Sequence, residues 1–227
     1  MPTHKQKVCD ACRIGQASAP HPCPWRESRF DSGACLALPG DQASHVWFIR
    51  DGWVAISASS LSGDELSCCV RGPGSMVGLE AASRREFRFE VWTLTPVVAC
   101  RLPTDALATW APIPSGPVGA LLEGALDELA RRHTDLEMLS GGATARVCRF
   151  LLDSATREQR HGPLPASERL AFPAKTLARV LGIRPETLSR ITTKLRERGA
   201  LEPGRSIVVK DSDRLREIAN EQPLAAQ

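Results

Sequence analysis

Long apolar runs are missing from this sequence. No window of about 18 consecutive apolar residues occurs in the 227-residue chain, so no membrane span is predicted. The opening stretch Met1-Pro2-Thr3-His4-Lys5-Gln6-Lys7 leads to Cys9 without the apolar centre of a signal peptide. The expected compartment is therefore the cytoplasm, and the eight cysteines are expected as thiols or metal ligands rather than disulfides. Histidine is scarce and scattered. His4, His21, His45, His133 and His161 form no group, and only His45 falls in a strand-like region. This argues against a cupin-like metal enzyme, which needs clustered histidine and carboxylate ligands, and no enzyme is expected. A strong net charge is absent too, the total being +3.

The charge that is present is unevenly placed. Residues 141–227 hold 16 Lys and Arg against 10 Asp and Glu, whereas residues 1–140 hold 13 against 16. The basic end is where a polyanion would dock. Residues 1–26 are rich in Cys, Pro and His without hydrophobic period, and need a metal or a neighbouring domain to order them. From residue 27 to 112, strand-like pieces (Val46–Ile49, Trp53–Ile56, Leu66–Val70) alternate with turns. The turn signals are Asp31-Ser32-Gly33, Pro39-Gly40-Asp41, Asp51-Gly52, Ser62-Gly63-Asp64 and Gly72-Pro73-Gly74. Such spacing predicts an antiparallel jelly roll.

Residues 113–140 switch to a helical period. Val118, Leu122, Ala125, Leu129, Leu136 and Leu139 recur at steps of four and three, with Arg132 in one slot, the narrow seam of a two-helix contact between two copies of the chain. Gly141-Gly142 ends this helix and opens a fourth segment, 141–227. A helix starts near Ala145, a loop is expected over Glu158–Pro165, and two helices follow at Pro173–Leu181 and Pro185–Arg198 around Gly182-Ile183-Arg184. The second helix sets Glu186, Ser189, Arg190 and Thr193 on one face, with Leu188, Ile191 and Leu195 opposite. Arg can bridge guanine O6 and N7, Glu can accept from cytosine N4, and hydroxyls serve several bases. Lys194, Arg196 and Arg198 would lie near phosphates. Leu201–Val209, folded about Pro203-Gly204, predicts a wing hairpin. The fold class expected is α+β: an N-terminal β-roll, a long dimerisation helix and a C-terminal winged helix-turn-helix that binds double-stranded DNA.

The string Leu177-Ala178-Arg179-Val180-Leu181-Gly182-Ile183-Arg184-Pro185-Glu186-Thr187-Leu188-Ser189-Arg190 resembles the Crp/Fnr family of bacterial regulators. Pro39-Gly40-Asp41, Phe48–Val54 and Gly72–Gly78 resemble the turns of that family's cyclic-nucleotide-binding-like β-roll, so the likeness spans about residues 30 to 218. Glu-Thr-x-Ser-Arg is similar to the Fnr branch; the cyclic-AMP receptor branch has Gly at the place of Ser189 and Arg at that of Pro185. The resemblance implies a homodimer reading an inverted repeat of TTGAT-like half-sites through Glu186, Ser189 and Arg190, with RNA polymerase as a partner. Members that bind cyclic nucleotides carry a Gly-Glu pair and then Arg-Ser or Arg-Thr. Here Leu79 separates Gly78 from Glu80, and Phe89 follows Arg88, so the phosphate would lack its donors and a cyclic nucleotide is not expected.

Cys9-x2-Cys12 followed by Cys23 gives three thiolates suited to zinc or iron–sulfur binding, with His21 or Cys35 as alternative fourth ligands. By resemblance to the Fnr branch the fourth ligand is Cys100, in Cys100-Arg101-Leu102-Pro103, and the group a [4Fe–4S] cluster responding to oxygen or nitric oxide. The ten residues between Cys12 and Cys23 exceed the Fnr pattern, and the leader to the first strand is shorter. Cys100 also shares a strand face with Val98 and Leu102, opposite Arg101, as a core cysteine would. Cys68, Cys69 and Cys148 read as core residues. Zinc in a structural role, haem, and direct thiol oxidation stand as alternative sensor chemistries.

Overall fold

In the computed structural model, the described residues are 23, 25–59, 65–83, 85–106, 117–139, 141–161, 174–204 and 207–221. The predicted turn at Ser62-Gly63-Asp64 lies outside them.

Among the described residues, eight strands make the N-terminal unit: β1 (Arg26–Phe30), β2 (Cys35–Ala37), β3 (His45–Asp51), β4 (Val54–Ser59), β5 (Glu65–Arg71), β6 (Met76–Val77), β7 (Glu90–Thr93) and β8 (Val97–Pro103). They form two antiparallel sheets ordered β1-β8-β3-β6 and β2-β7-β4-β5. Alternation along each strand aims one row inward. Ile49, Val97 and Ala99 from the first sheet meet Val54, Ile56 and Val91 from the second in a common core. The β3–β4 turn needs Gly52, whose φ is 80° and whose position admits no side chain, because a Cβ would strike the Pro96 carbonyl.

Five α-helices follow among the described residues: α1 (Pro117–Leu139), α2 (Ala143–His161), α3 (Ala174–Val180), α4 (Pro185–Glu197) and α5 (Ser212–Asn220). Two differ from expectation. The segment from Glu158 belongs to α2 as far as His161, because Glu158-Gln159-Arg160 are good helix formers and the breakers Gly162 and Pro163 come only afterwards. Helix α5 was not anticipated. Asp211 caps it, accepting from the Arg214 amide at 2.9 Å, and Leu215, Ile218 and Ala219 bury one face.

Helices α2 to α5 share a second core that includes Val147, Leu151, Leu177, Leu188, Leu195 and Leu215. Trp53 and Val70 of the β-roll belong to this same core, with Leu94 packed against it. The helix-turn-helix unit therefore sits on the outer side of the second sheet. Close beneath, a Cβ on Gly72 would lie 2.6 Å from the Trp53 ring.

Helix α1 is fastened to the roll by charge as well as by packing. Arg71, fully buried at the end of β5, donates from Nε to both Glu128 carboxylate oxygens at 2.9 Å and from Nη2 to Asp135 at 2.7 Å. Arg131 donates to the Ser75 hydroxyl and to the Gly74 carbonyl, the latter at 3.2 Å. Gly124 lets the helix approach Met76, whose sulfur a Cβ there would meet. The face of α1 towards the roll thus carries Leu121, Gly124, Glu128 and Arg131.

Candidate nucleic-acid interface and sensor site

The reading helix is built from three local devices. Gly182 turns the chain at φ 61°, Arg184 enters in extended geometry, and Pro185 supplies the first helical turn. Glu186 in that turn complements the helix dipole. Leu188, Ile191, Thr192 and Leu195 are buried, which turns Glu186, Ser189, Arg190, Thr193 and Lys194 outward together. Arg196 is half-buried at the edge of this face. Arg198 was expected near phosphates but makes a two-pronged ion pair with Glu221 after α5, both contacts at 2.7 Å. That hydrogen-bonded pair raises the Arg198 pKa and lowers that of Glu221. Burial of α5 in the core brings Glu221 there, and sequence spacing alone does not reveal it. Exposed Lys175 and Arg179 on α3 and Lys210 add positive charge to the unit. The wing is a minimal hairpin: Leu201 bridges Val209, and the Glu202 amide donates to the Val208 carbonyl at 2.9 Å. Its turn uses Gly204 at φ 130°.

The exposed stripe of α1 runs Leu122, Leu126, Leu129, His133 and Leu136, at steps of four, three, four and three. This stripe differs from the expected seam, of which Val118 and Leu139 lie outside the residues whose side chains are described. Leu122, Leu129 and Leu136 belong to both patterns, but Ala125 and Arg132 turn towards the roll, and Leu126, 57% exposed, takes the place given to Ala125. The physical reason is Glu128. A polar residue at that position reads as solvent-facing, yet Arg71 draws it inside and rotates the helix accordingly. Arg71, Glu128 and Asp135 were missed because an ion pair 57 and 64 residues apart leaves no periodic trace.

Between α1 and the roll lies a pocket of about 270 Å3, lined chiefly by carbon: Ile56, Met76, Leu79, Phe87, Phe89 and Leu129 are among its walls. Glu128 and Arg132 border it, 3.5 Å apart, and the Arg132 guanidinium lies 5.6 Å from the Phe89 ring centre. Arg88, which would have to hold a phosphate, is exposed and lies outside the lining. These walls suit an apolar group better than a nucleotide phosphate.

Of the sensor residues, Cys9, Cys12 and His21 lie outside the described residues. Cys23 and Cys100 are both half-buried and pack against the core of the roll. Cys100 stands in the cross-strand row Glu27–Cys100–Phe48, on the face opposite Val97 and Ala99. The same alternate row carries Leu102 and Val46, which are buried in the core of the roll. Cys35 is exposed in the other sheet, opposite Trp92, with its thiol 3.4 Å from the Ala37 carbonyl. Cys69 is half-buried and its pKa is raised, first by burial, with Arg71 pulling it back. Cys148 is fully buried, and burial pushes its thiol up to about 11. Among the described residues no three metal-binding side chains come together. Trp25, two residues beyond Cys23, is 5% exposed and its indole Nε1 has no hydrogen-bond partner. Cys23 and Cys100 are thiol donors of the kind a sulfur-rich group takes.

Two family models match. A Crp-like helix-turn-helix domain covers residues 145–218 and a cyclic nucleotide-binding domain covers residues 27–111. An anaerobic regulatory protein of Haemophilus influenzae is 24% identical over 199 residues, covering 85% of this chain and 76% of its own length. The fumarate nitrate reduction regulatory protein of Klebsiella oxytoca is 24% identical, covering 86% and 79%. Among solved structures, FixK2 from Bradyrhizobium japonicum superposes with a TM-score of 0.71 at 22% identity, over 86% of this chain and 96% of that one. CooA from Carboxydothermus hydrogenoformans does so with a TM-score of 0.64 at 17% identity, over 96% and 97%. No helix among the described residues is long and apolar enough to cross a membrane. With a nucleotide-binding-type roll, a long connecting helix and a Crp-like reading head in this order, the chain belongs to the Crp/Fnr family of DNA-binding transcription regulators.

Proposed function

We propose that this regulator responds to oxygen or nitric oxide through a [4Fe–4S] cluster held by Cys9, Cys12, Cys23 and Cys100, and that it reads TTGAT-like half-sites in an inverted repeat. The observation that carries the sensor reading is the placement of Cys100. It lies half-buried on β8, whose neighbour β1 begins three residues after Cys23. The relatives named for anaerobic and fumarate–nitrate regulation support the same reading. Thiolates are the donors such a cluster takes, and the bound cluster would supply a centre that oxygen degrades. Cys35, in the opposite sheet, is less suitably placed as the fourth ligand.

On the DNA side, Glu186, Ser189 and Arg190 face outward together and would meet base edges. Thr193 and Lys194 continue that face towards the phosphates, with Arg196 at its edge. Two copies would join along Leu122, Leu126, Leu129 and Leu136, a match for a two-fold operator.

Protein purified without oxygen tests the sensor half. The expected result is about four iron and four sulfide per chain, with visible absorption that bleaches in air. Cys100→Ser should lose the cluster while Cys35→Ser keeps it. Colourless protein with stoichiometric zinc would overturn the sensor reading and leave the family assignment intact.

A further inference from the structure

We infer that Arg146 fixes the angle at which each reading head leaves the dimerisation helix, and so sets which spacing between two half-sites the dimer accepts. The inference rests on the two-fold operator reading above and deepens it, adding a positioning residue that faces no base.

Arg146 sits on the first turn of α2, its amide donating to the Gly142 carbonyl at 3.0 Å. Its side chain reaches in two directions. The Nε donates to the Gly141 carbonyl at 2.9 Å, in the joint between α1 and α2. The Nη1 donates to the Leu181 carbonyl at 2.9 Å and more weakly to the Gly182 carbonyl at 3.4 Å. Those two carbonyls belong to the turn between α3 and α4. One half-buried guanidinium thus links the end of the dimerisation helix to the turn that aims the reading helix, 35 residues along the chain.

Each end of this bridge has a physical reason. Carbonyls at the end of a helix find no donor within it, and a charged donor satisfies them strongly. The Gly141-Gly142 pair leaves the joint the widest backbone freedom, so the chain itself does not set the angle between α1 and α2. A planar fork holding both sides does set it. The far turn closes tightly on the guanidinium: a Cβ on Gly182 would lie 3.3 Å from Arg146 Nη1.

In a dimer joined along α1, the distance and rotation between the two copies of α4 follow from this angle. Adding one base pair between half-sites moves one of them by about 3.4 Å and turns it by about 35° around the duplex. A stiff joint rejects such a duplex, and a loosened joint follows it.

The test compares the parent with Arg146→Gln and Arg146→Lys on duplexes carrying two inverted TTGAT half-sites, the gap between them changed by one base pair either way. A duplex with a single half-site and sedimentation of the free dimer accompany them. The parent should favour one gap by on the order of 100-fold, because a misplaced half-site forfeits one helix's base contacts. In Arg146→Gln this preference should fall about tenfold, while dimerisation and affinity for the single half-site stay as in the parent. Arg146→Lys should behave likewise, since a compact ammonium does not reach both joints at once, and it serves as the test should the glutamine variant fail to fold. A variant dimer that keeps the parent's preference would overturn the role of Arg146. Equal losses on every duplex would overturn it too, by showing general damage to the head. A parent indifferent to the gap would overturn the two-fold operator reading, and this inference with it.

Discussion

Removing the guanidinium of Arg71 would leave the Glu128 carboxylate, 6% exposed, without its main partner. A variant such as Arg71→Met should lose about 3–5 kcal/mol in urea unfolding, and the double variant Arg71→Met/Glu128→Leu should recover much of it. At Cys148 the pH dependence has a defined sign. Its thiol is raised to about 11 in the fold against an unfolded value near 9.0. The fold therefore holds the proton more tightly than the unfolded chain does. This contribution is intact below pH 9.0 and erodes as the pH rises through the folded value of about 11. Urea midpoints of the parent should fall relative to those of Cys148→Ala across that window. A parallel course for the two proteins would contradict the burial of this thiol. Burial also predicts that Cys148 resists thiol reagents at neutral pH unless the protein is unfolded.

At the scale of elements, α4 separates two kinds of contribution. Arg190→Ala should weaken binding to the preferred operator by about 1–3 kcal/mol and relax selectivity at one base pair, as competition against single-base variants would show. Lys194→Ala should weaken all sequences alike and reduce the salt slope of log K by about 1. Helix α1 yields a different prediction: Leu129→Glu, or Leu126→Glu on the same stripe, should abolish dimerisation and operator binding together. A variant that stays dimeric would refute the seam, and a monomeric one that keeps full operator affinity would refute the link between dimer and DNA binding. Helix α4 was legible in the sequence because its ends carry Pro185 and Gly199 and its apolar residues keep one side. The seam of α1 was legible only in part. Leu122, Leu129 and Leu136 fit two rotations of the helix, and the choice between them depends on Arg71, a residue of another element. Helix α5 carried usable signals, an Asp211 cap and the spacing of Leu215 and Ile218, but its short length hides them behind the wing.

Across the whole molecule, the segment Val70-Arg71-Gly72 touches all three units. Val70 enters the core of the reading head, Arg71 holds α1, and Gly72 lies beneath Trp53. Gly72→Ala should push the Trp53 ring and change operator affinity without altering any residue that faces DNA. Equal affinities in parent and variant would argue against coupling through this segment. The order of roll, helix and reading head could be read from turn glycines, a change of period and the basic C-terminal part. How the units sit on one another could not, because Trp53 and Val70 read simply as strand residues. Their burial against α2 and α3 has a consequence for evolution and engineering. The reading head and the roll share a hydrophobic socket, so specificity cannot be exchanged by grafting residues 141–227 of one relative onto another as a free module. A working chimera would need the graft to bring a surface shaped for Trp53, or the recipient roll to change at positions 53, 70 and 94 in step.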